Sequence, residues 1–133
     1  MATTKMLLIF LVVNTIIPIV FPLTLYDWQI LIRNESRNQN LTTHCITNNG
    51  GEDVGVHTLQ PTWKEFFVCH VLVKKRSLAS CDMSMGNSHV HLDVYDSDRD
   101  SKRCSGKTCI WDVNDDGLFL EINGQRVLQY RWS

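Results

Sequence analysis

The sequence has almost no excess of charge of either sign and almost no helical periodicity. Thirteen basic and 14 acidic residues leave the 133-residue chain with a formal net charge of −1. The chain therefore lacks the basic excess that is typical of nucleic-acid-binding domains, and we expect no nucleic-acid partner. Its composition, 44% hydrophobic and 20% charged, is that of one folded domain rather than a disordered chain.

The sequence also lacks the common catalytic signatures: it contains no G-x-S-x-G, no H-E-x-x-H and no P-loop. Cys69 is followed by His70, but adjacent residues of a strand point to opposite faces, so His70 is poorly placed to activate the thiol. The run DVYDSDRDSKR (93–103) interleaves carboxylates with cations, which is typical of a solvated loop. We therefore expect neither catalysis nor a cofactor.

The N-terminus has the pattern of a secretory signal peptide. After Lys5, an apolar run continues without a charge as far as Asp27, and Pro18 and Pro22 interrupt it near its end. No small-residue cleavage motif is present, so we place the cut only approximately, near residues 24–27. The predicted organisation is a leader over residues 1–25 and one mature domain over 26–133. An uncleaved membrane anchor is the alternative, since the run approaches spanning length.

An exported chain of this size enters an oxidising space, where small domains often rely on disulfides. Five cysteines allow at most two intramolecular bridges and leave one thiol. They are Cys45, Cys69, Cys81, Cys104 and Cys109. Two sequons, at Asn34 and Asn40, support the same route and predict N-glycosylation of both residues.

Apolar residues alternate with polar ones through most of the mature chain, which predicts strands. Clusters of Gly, Asn and Asp separate these strands and predict tight turns. The segment EFFVCHVLV (65–73) is apolar on both faces, which indicates a central strand. The fold class predicted from these patterns is all-β, an antiparallel sandwich of short strands stabilised by two disulfides.

The segment DVNDDG (112–117) begins like a calcium-binding EF-hand loop. Such a loop needs a glutamate at its twelfth position and a helix on each side. Position twelve is Asn123, and both flanking segments alternate as strands. The better prediction is a β-hairpin that joins residues 110–113 to 118–122.

The segment HVHLD (89–93) is a second candidate metal site. In a strand, His89, His91 and Asp93 share one face, and such a set could hold zinc in a secreted metalloenzyme. No fourth ligand is evident, so we favour a solvent-facing polar surface opposite Val90 and Leu92 and predict no metal site.

Several segments, in this order along the chain, resemble those of the plant self-incompatibility S1 family, also called the S-protein homologues. LTTHC (41–45) resembles a strand that ends in His-Cys, and EDVGVHTL (52–59) resembles an acidic run followed by His-x-Leu. SLASC (77–81), LDVYD (92–96) and RCSGKTCIWDVNDDG (103–117) resemble the later motifs. The sequence differs where LAS replaces aromatic residues before Cys81, and where Leu118-Phe119 replaces a frequent cysteine.

The resemblance implies roles for the cysteines. Cys45, Cys81, Cys104 and Cys109 match family positions, whereas Cys69 has no counterpart and is the expected free thiol. Four cysteines allow three pairings. We favour bonds from Cys45 and Cys81 to Cys104 and Cys109, which would tie the C-terminal hairpin to the earlier strands.

The resemblance also implies a function. The founding members are secreted by the stigma and recognised by a receptor on incompatible pollen, whose tube growth then stops. We therefore expect a monomeric, extracellular signalling ligand for a receptor on another cell, not inserted in the membrane after cleavage. Polar loops at 48–53, 83–88 and 96–102 are the expected contacts. The expected contact residues are Asn48, Asn49, Glu52, Asp53, Asp96, Asp98, Arg99, Asp100 and Lys102.

A defence-type binding module, such as an inhibitor or a glycan binder, is the alternative function. It would need a protruding reactive loop or an aromatic platform. Trp63 and Trp132 could form such a platform, although we expect both to pack in the core.

Overall fold

A computed structural model describes residues 24–48, 52–72 and 75–132. These residues form strands joined by short loops, with one helical turn before the seventh strand. The elements are β1 Thr24–Asn34, β2 Leu41–Thr47, β3 Asp53–Leu59, β4 Lys64–Leu72, β5 Leu78–Met85, β6 Ser88–Asp96, α1 Ser97–Asp100, β7 Thr108–Val113, β8 Gly117–Ile122 and β9 Gln125–Arg131. The predicted leader lies outside this description except for Thr24 and Leu25, which begin β1. Within the described ranges, no helix has the length and apolarity needed to cross a membrane.

The strands form two sheets, which confirms the predicted β-sandwich. One sheet has five strands in the order β4-β1-β7-β8-β9, and the other has four in the order β3-β2-β5-β6. All pairs are antiparallel except β1 and β7, which run parallel. A parallel pair needs a long connection between its two strands. Here the chain forms β2 to β6 and the segment 97–107 between β1 and β7.

The core lies between the two sheets, and aromatic residues connect them. The rings of Trp28 on β1 and Tyr95 on β6 lie 5.3 Å apart. Trp111 on β7 donates an indole hydrogen bond of 2.9 Å to the carbonyl of Val94 on β6. Strand alternation directs one face of each sheet into this space. Further buried apolar residues are Ile30, Ile32, Leu41, Met83, Leu118 and Leu120.

The prediction of a central strand at residues 65–73 is wrong, because β4 forms an edge of the five-stranded sheet. Phe67 and Cys69 point into the core, but Phe66 lies on the outer face and is 69% exposed. An apolar composition on both faces indicates a central position only when both faces are covered. Among the residues that the structure describes, no second layer covers Phe66 on the outer face of β4.

The hairpin predicted at residues 112–117 is confirmed, with β7 and β8 as its two strands. The side-chain oxygen of Asn114 accepts backbone N–H groups from Asp116 (2.9 Å) and Gly117 (3.1 Å). A Cβ atom on Gly117 would lie 2.1 Å from the carbonyl oxygen of Tyr130. The glycine is therefore required by the close approach of β9 rather than by a metal loop.

Asp112, the first residue of the apparent calcium loop, belongs to a network of ion pairs on the outer face of the five-stranded sheet. Its carboxylate is fully buried and accepts Arg33 Nε at 2.6 Å, with Arg126 Nε at 3.1 Å. Arg33 also contacts Glu121, and Arg126 contacts Glu35. The hydrogen bond to Asp112 is the main cause of the raised pKa of Arg33. The Asp112 carboxylate is thus paired with two guanidinium groups, in a strand rather than in a metal-binding loop.

Candidate functional site: loops at the two ends of the sandwich

Strand direction divides the loops between two ends of the molecule. The loops after β2, β4, β6 and β8 lie at one end, which we call the disulfide end because it contains Cys104. The loops after β1, β3, β5 and β7 lie at the other, which we call the tryptophan end because it contains Trp63 and Trp132. The expected contact loops 48–53 and 96–102 are therefore together at the disulfide end, and the turn within 83–88 is at the opposite end.

The loop at 83–88 is shorter than expected. Met83 and Met85 are buried in the last part of β5, so the turn consists of Gly86 and Asn87 alone. Those two residues cannot form a contact surface with loops at the far end of the strands. The turn within 83–88 is therefore separate from the other two expected contact loops.

Direct hydrogen bonds join the loops of the disulfide end. The backbone N–H of Asn48 donates to the carbonyl of Leu78 (3.0 Å), and the N–H of Leu78 donates to the Asn48 side chain (2.8 Å). Ser97 N–H donates to the Ser77 carbonyl, and Ser77 N–H donates to the Ser97 hydroxyl, both at 2.9 Å. Hydrogen bonds thus connect the loop after β4 to the loop after β2 and to the loop after β6.

Asp100 organises the loop that follows β6. Its carboxylate is fully buried and accepts the backbone N–H of Asp96 (2.8 Å) and the guanidinium groups of Arg99 and Arg103. Its carbonyl accepts the N–H of Cys104 at 2.9 Å. Asp100 is therefore a structural residue, and the expectation that it contacts a partner is wrong.

Asp96 is a second expected contact residue that the fold buries. It caps α1 by accepting the N–H of Asp98, and it binds the Arg76 guanidinium through both carboxylate oxygens. The bond to Arg76 is the main cause that lowers the pKa of Asp96 below its ordinary value. Because neither oxygen is directed to solvent, Asp96 is unavailable to a partner.

The lowered pKa of Asp96 predicts an acid-sensitive contribution to stability. A carboxyl whose folded pKa is depressed stabilises the fold above its ordinary pKa, here 3.8, and loses that effect as the pH falls through the folded value. Asp96→Asn should therefore lower the free energy of unfolding by about 1–2 kcal/mol at neutral pH. At about pH 3, the difference in the free energy of unfolding between the variant and the unaltered protein should be smaller. Urea unfolding at both pH values measures it.

Asp98→Asn is the matched control, because Asp98 is exposed and only 3.6 Å from Arg76 Nε. It should change stability little at either pH. A difference for Asp96→Asn that stays constant from neutral to acid pH would contradict the assignment to its charge.

Asn49 lies outside the described residues. The remaining contact candidates are exposed. Asp53 is tied at the start of β3, where it accepts Gly55 N–H (2.9 Å) and contacts His44 (2.8 Å). The bond from Gly55, followed by that from His44, lowers the pKa of Asp53. The exposed candidates at this end are Asn48, Glu52, Asp53, Asp98, Arg99 and Lys102.

The disulfides differ from the favoured pairing. Cys45 is bonded to Cys81, and Cys104 is bonded to Cys109. Cys45 and Cys81 are direct partners on the neighbouring strands β2 and β5, with Cα atoms 4.0 Å apart. Cys104 and Cys109 close the short loop that enters β7. Each bridge therefore joins neighbouring segments, and neither ties the hairpin to the earlier sheet.

The model of the family described as plant self-incompatibility protein S1 matches residues 29–132. The chain belongs to this family. The matched region extends from β1 to the end of β9 and includes both disulfides.

Curated relatives from Arabidopsis thaliana agree with this assignment. S-protein homolog 2 is 30% identical over 115 residues, which cover 77% of this chain and 66% of that protein. S-protein homolog 6 is 28% identical over 116 residues, which cover 85% of this chain and 82% of that protein.

One solved structure has the same fold. It is described as a self-incompatibility protein homologue from "a widespread family of small, highly stable, secreted proteins from plants". The TM-score is 0.62 at 20% identity, and the match covers 80% of this chain and 94% of that one.

In this S1-family chain the free cysteine is Cys69. Its side chain is fully buried on the inner face of β4, and burial raises the pKa of the thiol to about 11. His70 points to the outer face, where its Nδ1 lies 2.6 Å from an Asp27 oxygen. The two side chains are thus on opposite faces of the strand, as predicted.

Burial predicts that Cys69 is unreactive in the native protein. Iodoacetamide should label it only after unfolding in guanidinium chloride, because alkylation needs an accessible thiolate. Mass spectrometry of the native and unfolded protein measures the labelling. A Cys69→Ala, Thr58→Cys variant, whose thiol would be on an exposed part of β3, should react without denaturant. Equal rates for Cys69 and this control would contradict the buried position.

The predicted solvent-facing position of His89, His91 and Asp93 is confirmed. His91 Nδ1 lies 2.7 Å from Asp82 on the neighbouring strand β5. Among the described residues, no group of three or more His, Cys, Asp or Glu side chains is arranged to hold a metal ion.

Asn34 occupies the centre of the tryptophan end, and the glycan predicted on it does not fit the folded protein. Its side-chain amide is fully buried and donates to the carbonyls of Gln39 (2.9 Å) and Leu59 (2.8 Å). Its side-chain oxygen accepts the N–H of Ser36 at 2.9 Å. A sugar on this nitrogen would replace one of its two hydrogens and so remove one of the two donated bonds, and the buried position leaves no room for the sugar. Asn40, in contrast, is exposed.

We therefore predict one occupied sequon. Mass spectrometry of glycopeptides from the secreted protein should find a glycan on Asn40 and none on Asn34. Asn40→Gln should then yield a protein without N-glycan. A folded fraction that carries a sugar on Asn34 would contradict the hydrogen bonding described above.

Sequence patterns missed Asn34 and Asp100 as organising residues. Asn34 was interpreted as a glycosylation site because it begins a sequon. The alternating charges of residues 93–103 predicted a solvated loop around Asp100. A possible signal was the position of Asn34 at a strand end, where side-chain amides often bind loop backbone.

Proposed function

We propose that this S1-family chain is a small secreted protein that acts as an extracellular signalling ligand of the self-incompatibility type. Its partner would be a receptor in the membrane of another cell, contacted through the loops of the disulfide end. The chain acts as a monomer and by binding, without catalysis or a cofactor. Its relatedness to proteins described as secreted, its predicted leader and its two disulfides support export.

The observation that carries the proposal is the charged surface of the disulfide end. Side chains of both signs are exposed there on a backbone held by Asp100, by Asn48 and by the Ser77–Ser97 bonds. Asp98 and Lys102 are two of these exposed side chains, one of each sign. A rigid scaffold that presents variable polar loops is a common arrangement for recognition, because little ordering is needed on binding.

The positions of His70, His91 and the free thiol support binding rather than catalysis. Cys69 is buried with a raised pKa, and His70 is on the opposite face of β4. His91 is paired with Asp82 on an exposed face of its sheet. Neither arrangement joins a nucleophile to a base beside a substrate pocket.

The test uses charge reversal at the disulfide end. The variant Asp98→Lys, Lys102→Glu keeps the net charge and changes exposed side chains alone. Fluorescently labelled protein is titrated onto germinating pollen from plants of several genotypes, and bound label and tube length are measured. We expect saturable binding of the unaltered protein to some genotypes, and a loss of at least about tenfold in the variant.

The matched control is Asp116→Lys, Arg131→Glu, which makes the same charge exchange at the tryptophan end. Both residues are exposed. Its binding should equal that of the unaltered protein. Binding that is absent for every genotype, or reduced equally by both variants, would overturn the proposal.

A further inference from the structure

Trp63 differs from the other tryptophans of the described chain, because its side chain is 51% exposed. Trp28 and Trp111 are buried in the core. Trp132 packs edge-on against Tyr130, with ring centroids 6.0 Å apart, and donates to the Asn114 carbonyl. The expectation that Trp63 packs in the core is therefore wrong. An indole ring half in water is an unfavourable use of a large apolar side chain.

The backbone around Trp63 is held in place rather than loose. The N–H of Asn34 donates to the Trp63 carbonyl, and the N–H of Thr62 donates to the Asn34 carbonyl, both at 2.9 Å. Trp63 N–H donates to the Gln60 carbonyl, also at 2.9 Å. Thr62 has φ +77°, a conformation that a β-branched residue rarely adopts. Strain of this kind persists where the surrounding structure enforces it, often at binding sites.

A cleft lies beside this loop. It has a volume of about 410 Å³ and is lined by Arg33, Asn34, Glu35, Ser36 and Thr62. Arg33 and Glu35 are partly exposed there, and Thr62 directly precedes Trp63. An aromatic ring is thus adjacent in the chain to a cleft that offers both donors and acceptors.

The surroundings of Trp63 favour a neutral, hydroxyl-rich ligand. Arg33 and Glu35 have opposite charges, so the cleft has no net attraction for a strongly anionic molecule. The neighbours Gln60, Thr62 and Lys64 are exposed and polar. Protein interfaces instead need an apolar core of several residues. Phe66, the nearest strongly exposed aromatic residue along the chain, lies on the outer face of β4.

We propose that the tryptophan end binds a neutral β-linked oligosaccharide. The equatorial hydroxyls of such a sugar leave flat C–H faces, which stack on an indole ring through weak C–H···π contacts. One pyranose would stack on Trp63, and the neighbouring sugar would hydrogen bond to Arg33, Glu35 and Thr62 in the cleft. The strained loop holds the ring ready for this contact, so binding needs little reordering.

Calorimetric titration of the full secreted chain tests this site. The probes are cellohexaose and xylohexaose, with an oligogalacturonide of similar length as the anionic comparison. We expect saturable binding of a neutral probe and weaker binding of the anionic one. Trp63→Ala should weaken binding of the neutral probe by at least about tenfold, while the protein stays folded because the ring is only half buried.

Phe66→Ala is the matched control, because it removes an exposed aromatic side chain elsewhere on the same strand region. It should bind the neutral probe like the unaltered protein. Thr62→Gly should relieve the strain of the positive φ and weaken binding, because the loop that holds the indole ring would become more flexible.

Three outcomes would overturn the oligosaccharide site. They are an absence of binding by both neutral probes, equal binding by Trp63→Ala and the unaltered protein, and binding of the oligogalacturonide alone. Trp63→Ala that loses binding to pollen while no sugar binds would instead assign Trp63 to a protein contact. This site and the disulfide end are separate, so either proposal can fail without the other.

Discussion

Replacing Cys45 and Cys81 by alanine is expected to lower the free energy of unfolding by about 4 kcal/mol. The bridge closes a loop with a sequence separation of 36, and a cross-link restricts the unfolded chain more as its loop grows. Both residues are buried between the sheets, so alanine also leaves a small gap in the core. Equilibrium unfolding in guanidinium chloride measures the loss.

Cys104→Ala, Cys109→Ala is the matched control. Its bridge has a sequence separation of 5, so the same relation predicts a smaller loss of about 2 kcal/mol. Peptide mapping of the unaltered protein provides an independent check, since each bridge would be recovered as its own fragment. Equal losses in the two variants, or a fragment that joins Cys45 to Cys104 or Cys109, would contradict the structure.

Asn34→Ala is expected to lower the free energy of unfolding by about 3 kcal/mol. The substitution removes three side-chain hydrogen bonds and leaves the carbonyls of Gln39 and Leu59 and the N–H of Ser36 without this partner. An unsatisfied buried polar group costs about 1–3 kcal/mol, and part of that cost is relieved if water enters. Urea unfolding of protein produced without glycans measures the change, so that a lost sugar does not contribute.

Asn40→Ala serves as the control, because Asn40 is exposed and belongs to the neighbouring sequon. It should change stability by no more than about 0.5 kcal/mol. If the two alanine variants unfold at the same urea concentration, Asn34 does not organise the tryptophan end, and its predicted lack of a glycan loses its physical basis.

The two ends of the sandwich have different structural supports, which separates the two proposed activities. The disulfide end depends on Asp100 and on the Cys104–Cys109 bridge, whereas the tryptophan end depends on Asn34. A variant that loosens one end should leave the other intact, because distant sites without shared partners act additively. Paired variants from the two ends can therefore assign a cellular effect to the receptor surface or to the oligosaccharide site.

Local patterns were sufficient for the fold class and for several exposed surfaces. Alternation of apolar residues predicted a β-sandwich, and the Asn, Asp and Gly residues at 114–117 predicted the hairpin that the structure contains. The exposed positions of His89, His91 and Asp93 followed from the same alternation. These features depend on neighbours within a strand or turn, so the sequence by itself determined them.

Only the tertiary structure decided the order of the strands, the disulfide partners and which polar side chains are buried. The apolar strand β4 is an edge strand because, among the described strands, it pairs with β1 alone. Cys45 bonds to Cys81 because the register of β2 and β5 makes them direct partners. Asn34 and Asp100 were expected to be exposed and are buried, whereas Trp63 was expected in the core and is half exposed. Each outcome depends on contacts between residues far apart in the chain, and a local pattern contains no information about which distant strand will become its neighbour.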